Sequence, residues 1–243
     1  MDAIVIKNLT KRYKDVTAVN CLSLQVKKGE LFSLLGVNGA GKTTVIQMLS
    51  CLTEATAGDA LVLGKSIRTQ AAEIKPLIAL SPQETAIAPG LSVEENLDLI
   101  CGIHGFPKDI RKTKIQDLSA RLGLDSVRKK KAGTLSGGWQ RRLSIAMALI
   151  SEPRILFLDE PTLGLDVLAR SDLWDLIRSL KGNITIILTT HYMEEAEALS
   201  DRIAILKEGK LLSCATPAQI MEQAGTDRFD QAFIRMVKKG ESL

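Results

Sequence analysis

A nearly unbroken apolar run, Leu31-Phe32-Ser33-Leu34-Leu35, leads straight into Gly36-Val37-Asn38-Gly39-Ala40-Gly41-Lys42-Thr43-Thr44. The run reads as a buried strand, and residues 42–52 continue as a helix. Glycines at this turn let backbone N–H groups converge on an anion. The helix N-terminus adds the positive end of its dipole, worth ~0.3–1 kcal/mol and up to ~2 kcal/mol where partly buried. The spacing fits G-x-x-x-x-G-K-[ST] in its strand-to-helix setting. Lys42 is therefore expected to reach the β- and γ-phosphates of a nucleotide, and Thr43 to ligate Mg²⁺. Such a turn says that a nucleotide binds and leaves open what is done with it.

The rest of the pattern extends this unit. Residues 58–63 and 77–80 read as further strands, and 154–159 and 184–189 as two more buried ones, each preceded by a helix. Strand–helix alternation of this kind implies a parallel sheet covered on both faces. Ahead of it, residues 3–26 suggest short strands, because Ile4/Ile6 and Leu22/Leu24/Val26 alternate before the turn Lys27-Lys28-Gly29-Glu30. Between 91 and 134 helical periodicity takes over, as in Val93, Asn96, Leu97 and Ile100, with basic residues gathered at 108–114 and 128–131. This stretch reads as a helical insertion between two parts of the core. Residues 202–206 and 210–214 around Gly209 suggest a closing hairpin, and Pro217 opens a short helix. Phe229, Phe233 and Met236/Val237 share one helical face, expected to pack on the domain.

Composition narrows the class. The 243 residues hold Lys+Arg 32 against Asp+Glu 28, a net charge of +4 that is too even for the concentrated basic face of a nucleic-acid binder. Cys21, Cys51, Cys101 and Cys214 are scattered without Cys-x-x-Cys spacing and read as apolar residues of a reducing compartment. No apolar run approaches the ~18–20 residues of a membrane span. The first residues lack a basic region followed by an apolar one, so no signal peptide is expected. The run Arg128-Lys129-Lys130-Lys131 is expected to be a solvated face rather than a lipid contact.

Two further constellations carry chemistry. The apolar strand Ile155-Leu156-Phe157-Leu158 ends in Asp159 and Glu160. Asp159 can hold Mg²⁺ through its oxygens and inner-shell waters, while Glu160 points elsewhere and can polarise an attacking water. Two adjacent acids on a buried strand are costly unless used. About two dozen residues earlier stands Leu135-Ser136-Gly137-Gly138-Trp139-Gln140, with Ser136 where a helix should start. A hydroxyl, exposed amides and a dipole end make a second anion site of the same physical kind.

In order along the chain, the glycine loop at 36–44, Gln83, residues 135–140 and 155–161, Gly164-Leu165-Asp166 and His191 resemble the motifs of ATP-binding cassette (ABC) ATPases. The likeness spans nearly the whole chain. It implies an α/β fold, a P-loop NTPase (RecA-like) parallel-sheet core with an antiparallel β subdomain and a helical insertion subdomain. The single ABC ATPase domain would cover 1–243: residues 1–90 and 135–216 form the nucleotide-binding core with the β subdomain, 91–134 the insertion, and 217–243 the C-terminal helices. The resemblance implies a head-to-tail dimer with two ATP molecules between subunits. Each ATP would touch Gly36, Asn38, Gly39, Ala40, Gly41, Lys42, Thr43 and Thr44 of one copy, and Ser136, Gly137 and Gly138 of the other. By position, Tyr13 matches the aromatic that stacks on adenine. Gln83 matches the glutamine that senses Mg²⁺ and the attacking water, and His191 the histidine at the γ-phosphate. Glu160, His191, Gln83 and Lys42 form the catalytic set so implied; Thr43, Gln83 and Asp159 form the Mg²⁺ set, and Asp166 communicates across the dimer. His104 matches nothing.

Thr189-Thr190-His191-Tyr192-Met193-Glu194-Glu195-Ala196-Glu197 and Trp139-Gln140-Arg141-Arg142-Leu143 look like the exporter branch that moves drugs, lipids or polysaccharide-type molecules. That implies ATP and Mg²⁺ as cofactors, a second copy of the chain and a polytopic membrane permease as partners, and no nucleic acid. It also implies a cytoplasmic place, peripheral on the inner face of the cell membrane. The competing reading is a soluble ABC-type ATPase acting on DNA or ribosomes, disfavoured because one cassette stands alone with an insertion of ordinary size. Three positions depart from the common pattern: Trp139 stands where Gln is frequent, Val167 where Pro is common, and Leu163 where a small polar residue is usual.

Overall fold

In the computed structural model, which describes residues 1–239, the strands divide between two sheets. β1 (Asp2–Tyr13) and β2 (Val16–Lys27) pair antiparallel and are 12 residues each, longer than the short strands expected. Register shifts, among them one between Ile6 and Leu9, interrupt the inside–outside alternation, so one bulged strand reads in sequence as several. β3 (Leu31–Leu35) is buried at every position, as a strand covered on both faces must be. It feeds the glycine turn and then α1 (Lys42–Leu49). The helix stops short of 52 because Ser50 Oγ turns back to the Ile46 carbonyl at 2.8 Å and Cys51 takes a positive φ of 57°. β4 (Ala57–Val62) and β5 (Lys65–Ser66) complete the antiparallel sheet in the order β2-β1-β4-β5.

After the four-residue α2 (Ala71–Ile74), β6 (Ile78–Ser81) enters the larger sheet at its edge. α3 (Val93–Ile103) and α4 (Lys108–Arg121) follow, then α5 (Gly137–Leu149). α3 is fixed at its start by a Ser92–Glu95 capping box, and the carbonyls of Arg128 and Lys130 take its free amides of Glu94 and Val93. The insertion thus closes on itself, with Lys129, Lys130 and Lys131 left exposed. β7 (Ile155–Asp159), α6 (Val167–Leu180), β8 (Thr185–Thr190), α7 (Met193–Leu199), β9 (Arg202–Lys207) and β10 (Lys210–Ala215) complete the core. The sheet order is β10-β9-β3-β8-β7-β6, parallel throughout except for the β9–β10 hairpin.

Alternate residues of its strands serve opposite faces. Phe32, Leu34, Phe157 and Ile187 join α1 and the antiparallel sheet in one apolar cluster. Leu31, Leu156, Leu158, Ile186 and Leu188 join the helices α3 to α6 in another. α8 (Pro217–Ala224) and α9 (Phe229–Lys239) cover a third cluster, where Phe229 and Phe233 are buried and Met236 and Val237 partly so. Each phenylalanine contributes about 1.5–3 kcal/mol by leaving water. The last four residues of the expected 217–243 segment lie outside those described.

Candidate functional site

The turn after β3 owes its shape to close backbone approach. Gly41, the residue before α1, has φ +96°, and a Cβ there would stand 2.3 Å from the Ala18 carbonyl oxygen of β2. Only glycine fits both demands. The turn opens on a cleft of about 750 Å³ lined by Asn38, Gly39, Ala40, Gly41, Lys42, Thr43 and Thr44. Tyr13, Gln83, Glu160 and His191 line the same cleft, so four residues far apart in sequence meet the loop. Tyr13 is 42% exposed and has Lys11 Nζ 4.8 Å from its ring centroid. Gly36 is not part of the lining; its carbonyl accepts from Lys42 Nζ at 2.8 Å.

The two acids are separated by a backbone twist. Asp159 ends β7, and Glu160 takes a positive φ of 46°. A non-glycine residue held there marks a conformation that surrounding structure must enforce. Thr189 of β8 does so: its carbonyl and hydroxyl oxygens accept from Glu160 N at 3.1 and 3.0 Å. The same hydroxyl donates to Asp159 Oδ1. Asp159 is thereby directed to Thr43, whose Oγ1 donates to it at 3.1 Å. Glu160 is directed to Lys42 Nζ at 3.4 Å and to His191 Nδ1 at 3.1 Å. Asp159 does not reach the cleft wall itself and lies behind Thr43. A threonine hydroxyl and a carboxylate brought together at the edge of the cleft are hard oxygen donors, so these residues fit Mg²⁺.

Gln83 follows β6 in an exposed segment, held by a residue that sequence reading passed over. Arg141 of α5, 5% exposed, donates to the carbonyls of Pro82 and Gln83, each at 2.6 Å. Burial lowers its pKa, while the nearby Asp159 and Glu195 oppose that shift. In Trp139-Gln140-Arg141-Arg142 it reads as one more cation on a helix, and only tertiary packing reveals it. Thr189 was overlooked for a similar reason, as one β-branched residue of a buried strand. Val16, Thr17, Ala18 and Glu208 also line the cleft without a sequence signal.

Ser136, Gly137 and Gly138 are absent from that cleft lining. Ser136 is the N-cap of α5, but its side chain makes no capping bond, so the exposed hydroxyl is not consumed by the helix. Ser136 and Gly138 line a separate depression of about 250 Å³ with Trp139, Arg142 and Asp166. A Cβ on Gly138 would stand 2.9 Å from Ala169 Cβ, so glycine lets α5 pack on the first turn of α6. Asp166 caps α6, accepting from Ala169 N at 2.9 Å. Trp139 is half-buried against the helical cluster with the Arg142 guanidinium 5.0 Å from its ring, which gives it a packing role. Val167 and Leu168 beside this depression are 76% and 78% exposed. His104 is exposed and stands 6.3 Å from the Phe106 ring, away from both sites. No helix of the described residues is long and apolar enough to cross a membrane.

A family model described as "ABC transporter" matches residues 19–163. ABC transporter A family member 11 of Arabidopsis thaliana is 40% identical over 240 residues, which cover 92% of this chain and 25% of that protein. The chain thus spans about a quarter of the length of such plant relatives. The doxorubicin resistance ATP-binding protein DrrA of Mycobacterium tuberculosis is 38% identical over 244 residues, covering 99% of this chain and 73% of that one. Among solved structures, a dimeric ATP-binding cassette in a post-hydrolysis state with ADP and Pi superposes with a TM-score of 0.78. The sequences are 26% identical, and the match covers 88% of this chain and 98% of the other.

Proposed function

The chain belongs to the ABC transporter family through its ATP-binding domain, and we propose that two copies close around two ATP molecules to power export through a separate membrane-spanning permease. One observation carries the reading. Two glycine-flanked helix starts, at Gly41 and at Ser136, lie in different depressions of one chain. A head-to-tail pair would bring one copy's Ser136-Gly137-Gly138 onto the other's glycine loop. The exposed Val167 and Leu168 beside Asp166 supply apolar area for that contact.

The proposed chemistry follows from the geometry. Amides of residues 38–44 and the Lys42 ammonium take the phosphates, and Tyr13 stacks on the base at the far end of the cleft. Thr43, Asp159 and Gln83 would hold Mg²⁺, which neutralises charge developing on the phosphates. Glu160 accepts the proton of the attacking water, and His191, 3.1 Å from it, steadies its carboxylate and faces the γ-phosphate. Lys42 leaves Glu160 and the Gly36 carbonyl for the nucleotide, freeing the base only when ATP is bound. Electrostatic stabilisation is completed when the second copy adds Ser136 and its dipole end. Closure and release move the insertion at 91–134 and the segment following Gln83, and this motion drives the permease. Asn96, fully buried, ties that segment to α3 through the Ala88 amide and carbonyl.

The reading places the chain in the cytoplasm, on the inner face of the membrane, with residues 1–90 and 135–216 as catalytic core. DrrA, named for doxorubicin resistance, points to amphiphilic organic solutes as cargo. Affinity purification from detergent-solubilised membranes tests it. A multi-span protein should co-purify and raise the ATPase rate; recovery with ribosomes or DNA instead would overturn it.

A further inference from the structure

Glu195, the third residue of α7, has no solvent exposure at all. An acid in a helix's first turn usually meets the dipole from water. This one is enclosed between α6, α7 and the chain leaving β7. Its Oε1 accepts from Trp174 Nε1 at 3.1 Å. Glu195 Oε2, Thr162 Oγ1 and Arg170 Nε are buried and lack well-formed hydrogen bonds. Burial pushes the Glu195 carboxyl upward in pKa; the hydroxyls of Thr190 and Thr162, the Trp174 indole and the Arg170 cation stand close enough to oppose it. An apolar residue of the same size would be cheaper here if packing were all that mattered.

Its neighbours explain the expense. Thr190 precedes His191, and its Oγ1 accepts the Tyr192 backbone N–H at 2.9 Å, so the residues on either side of His191 are joined. Thr162 follows Glu160 by two positions and is 1% exposed. Glu160 and His191 meet at 3.1 Å on the cleft side of this cluster. We propose that Glu195 is a positioning residue for hydrolysis: its carboxyl braces Thr190 and Thr162 from behind, holding His191 and Glu160 at contact distance. The claim rests on the ATPase reading above and adds a residue that touches neither nucleotide nor water.

Steady-state ATPase kinetics, analogue binding and unfolding midpoints of Glu195→Ala and Glu195→Gln test it. Loosening two groups at the reacting centre should lower kcat about tenfold or more in Glu195→Ala, with ATP KM and analogue affinity within about twofold. Glu195→Gln keeps the shape and the acceptor for Trp174, and should retain kcat within about threefold. In a His191→Ala background, Glu195→Ala should cost clearly less than in the wild type, because the His191 half of the geometry it maintains is already lost. Unchanged kcat in the alanine variant, equal losses for alanine and glutamine, or additive losses with His191→Ala would each overturn the proposal. Should Glu195→Ala not fold, Thr162→Val removes only a hydroxyl and should still lower kcat with affinity intact; wild-type kcat there overturns it equally. Glu160→Gln runs alongside as a control. If that variant hydrolyses ATP normally, the ATPase reading itself has failed, whereas an inactive Glu160→Gln beside a fully active Glu195→Ala rejects only the brace.

Discussion

The guanidinium of Arg141 donates to the carbonyl oxygen of Gln83 at 2.6 Å. It joins the helix that begins after Ser136 to the segment that lines the other anion site. On the proposed reading, a nucleotide held at Ser136 would thereby be linked mechanically to Gln83 in the same chain's cleft. Arg141→Met should keep the aliphatic packing and strip the carbonyls of Pro82 and Gln83 of their donors. Leaving such groups unpaired costs about 1–3 kcal/mol, which urea unfolding would register. ATP affinity should persist while kcat falls. A variant with unchanged stability and turnover would show that the clamp does not matter.

Glu160 is the one carboxylate that meets both Lys42 and His191 among the described residues. Glu160→Gln preserves its shape and removes the proton acceptor. Nucleotide binding should survive, turnover should drop by about 10²–10⁴, and an ATP-bound dimer should accumulate on size exclusion. Wild-type hydrolysis in this variant would remove Glu160 from the role of base.

Stability should depend on pH through Glu195. Burial holds its pKa above 4.5 in the folded chain. Between that value and the raised one, the folded state keeps a proton that the unfolded chain has released. The stabilisation is complete below the unfolded value, shrinks as pH rises, and is gone above the folded pKa. Thr190, Thr162, Trp174, Arg170 and Arg141 face the group, and the two hydroxyls first, then the Trp174 indole and the Arg170 charge, oppose the rise that burial causes. Glu195→Gln has no proton to lose. Urea midpoints followed upward from about pH 5 should therefore show wild type losing ground to the variant, at up to about 1.4 kcal/mol per pH unit, until the folded pKa is passed. A constant difference would mean that the carboxyl is ionised throughout.

Much of this was legible in the chain because local chemistry and global fold agree. The apolar run at 31–35, the glycines after it and the helix from Lys42 each demand the same turn, and the buried strand ending in Asp159-Glu160 announces itself by cost. Other features were hidden because they exist only in three dimensions. Bulges in β1 disguised two 12-residue strands as short ones. Ser50 and Cys51 ended α1 through a side-chain hydrogen bond and a positive φ that no periodicity reports. Thr189 controls both acids from a neighbouring strand, and Arg141 and Glu195 act across helices, so their sequence neighbours say nothing of their partners. Trp139, unexplained by its motif, gained a reason in the Arg142 cation resting on its ring.

The central claim is that one chain supplies Lys42 and Asp159 to one ATP and Ser136 to the other. Mixing two inactive variants, Ser136→Ala and Asp159→Asn, tests it most directly. In a mixed dimer one site combines the intact Asp159 of the first with the intact Ser136 of the second, while the other site carries both defects. With two-fold pairing at random, half the dimers are mixed and each holds one sound site, so activity should recover to about a quarter of wild type if sites act independently. A mixture no more active than its separate parents would contradict the shared site and place catalysis within a single chain.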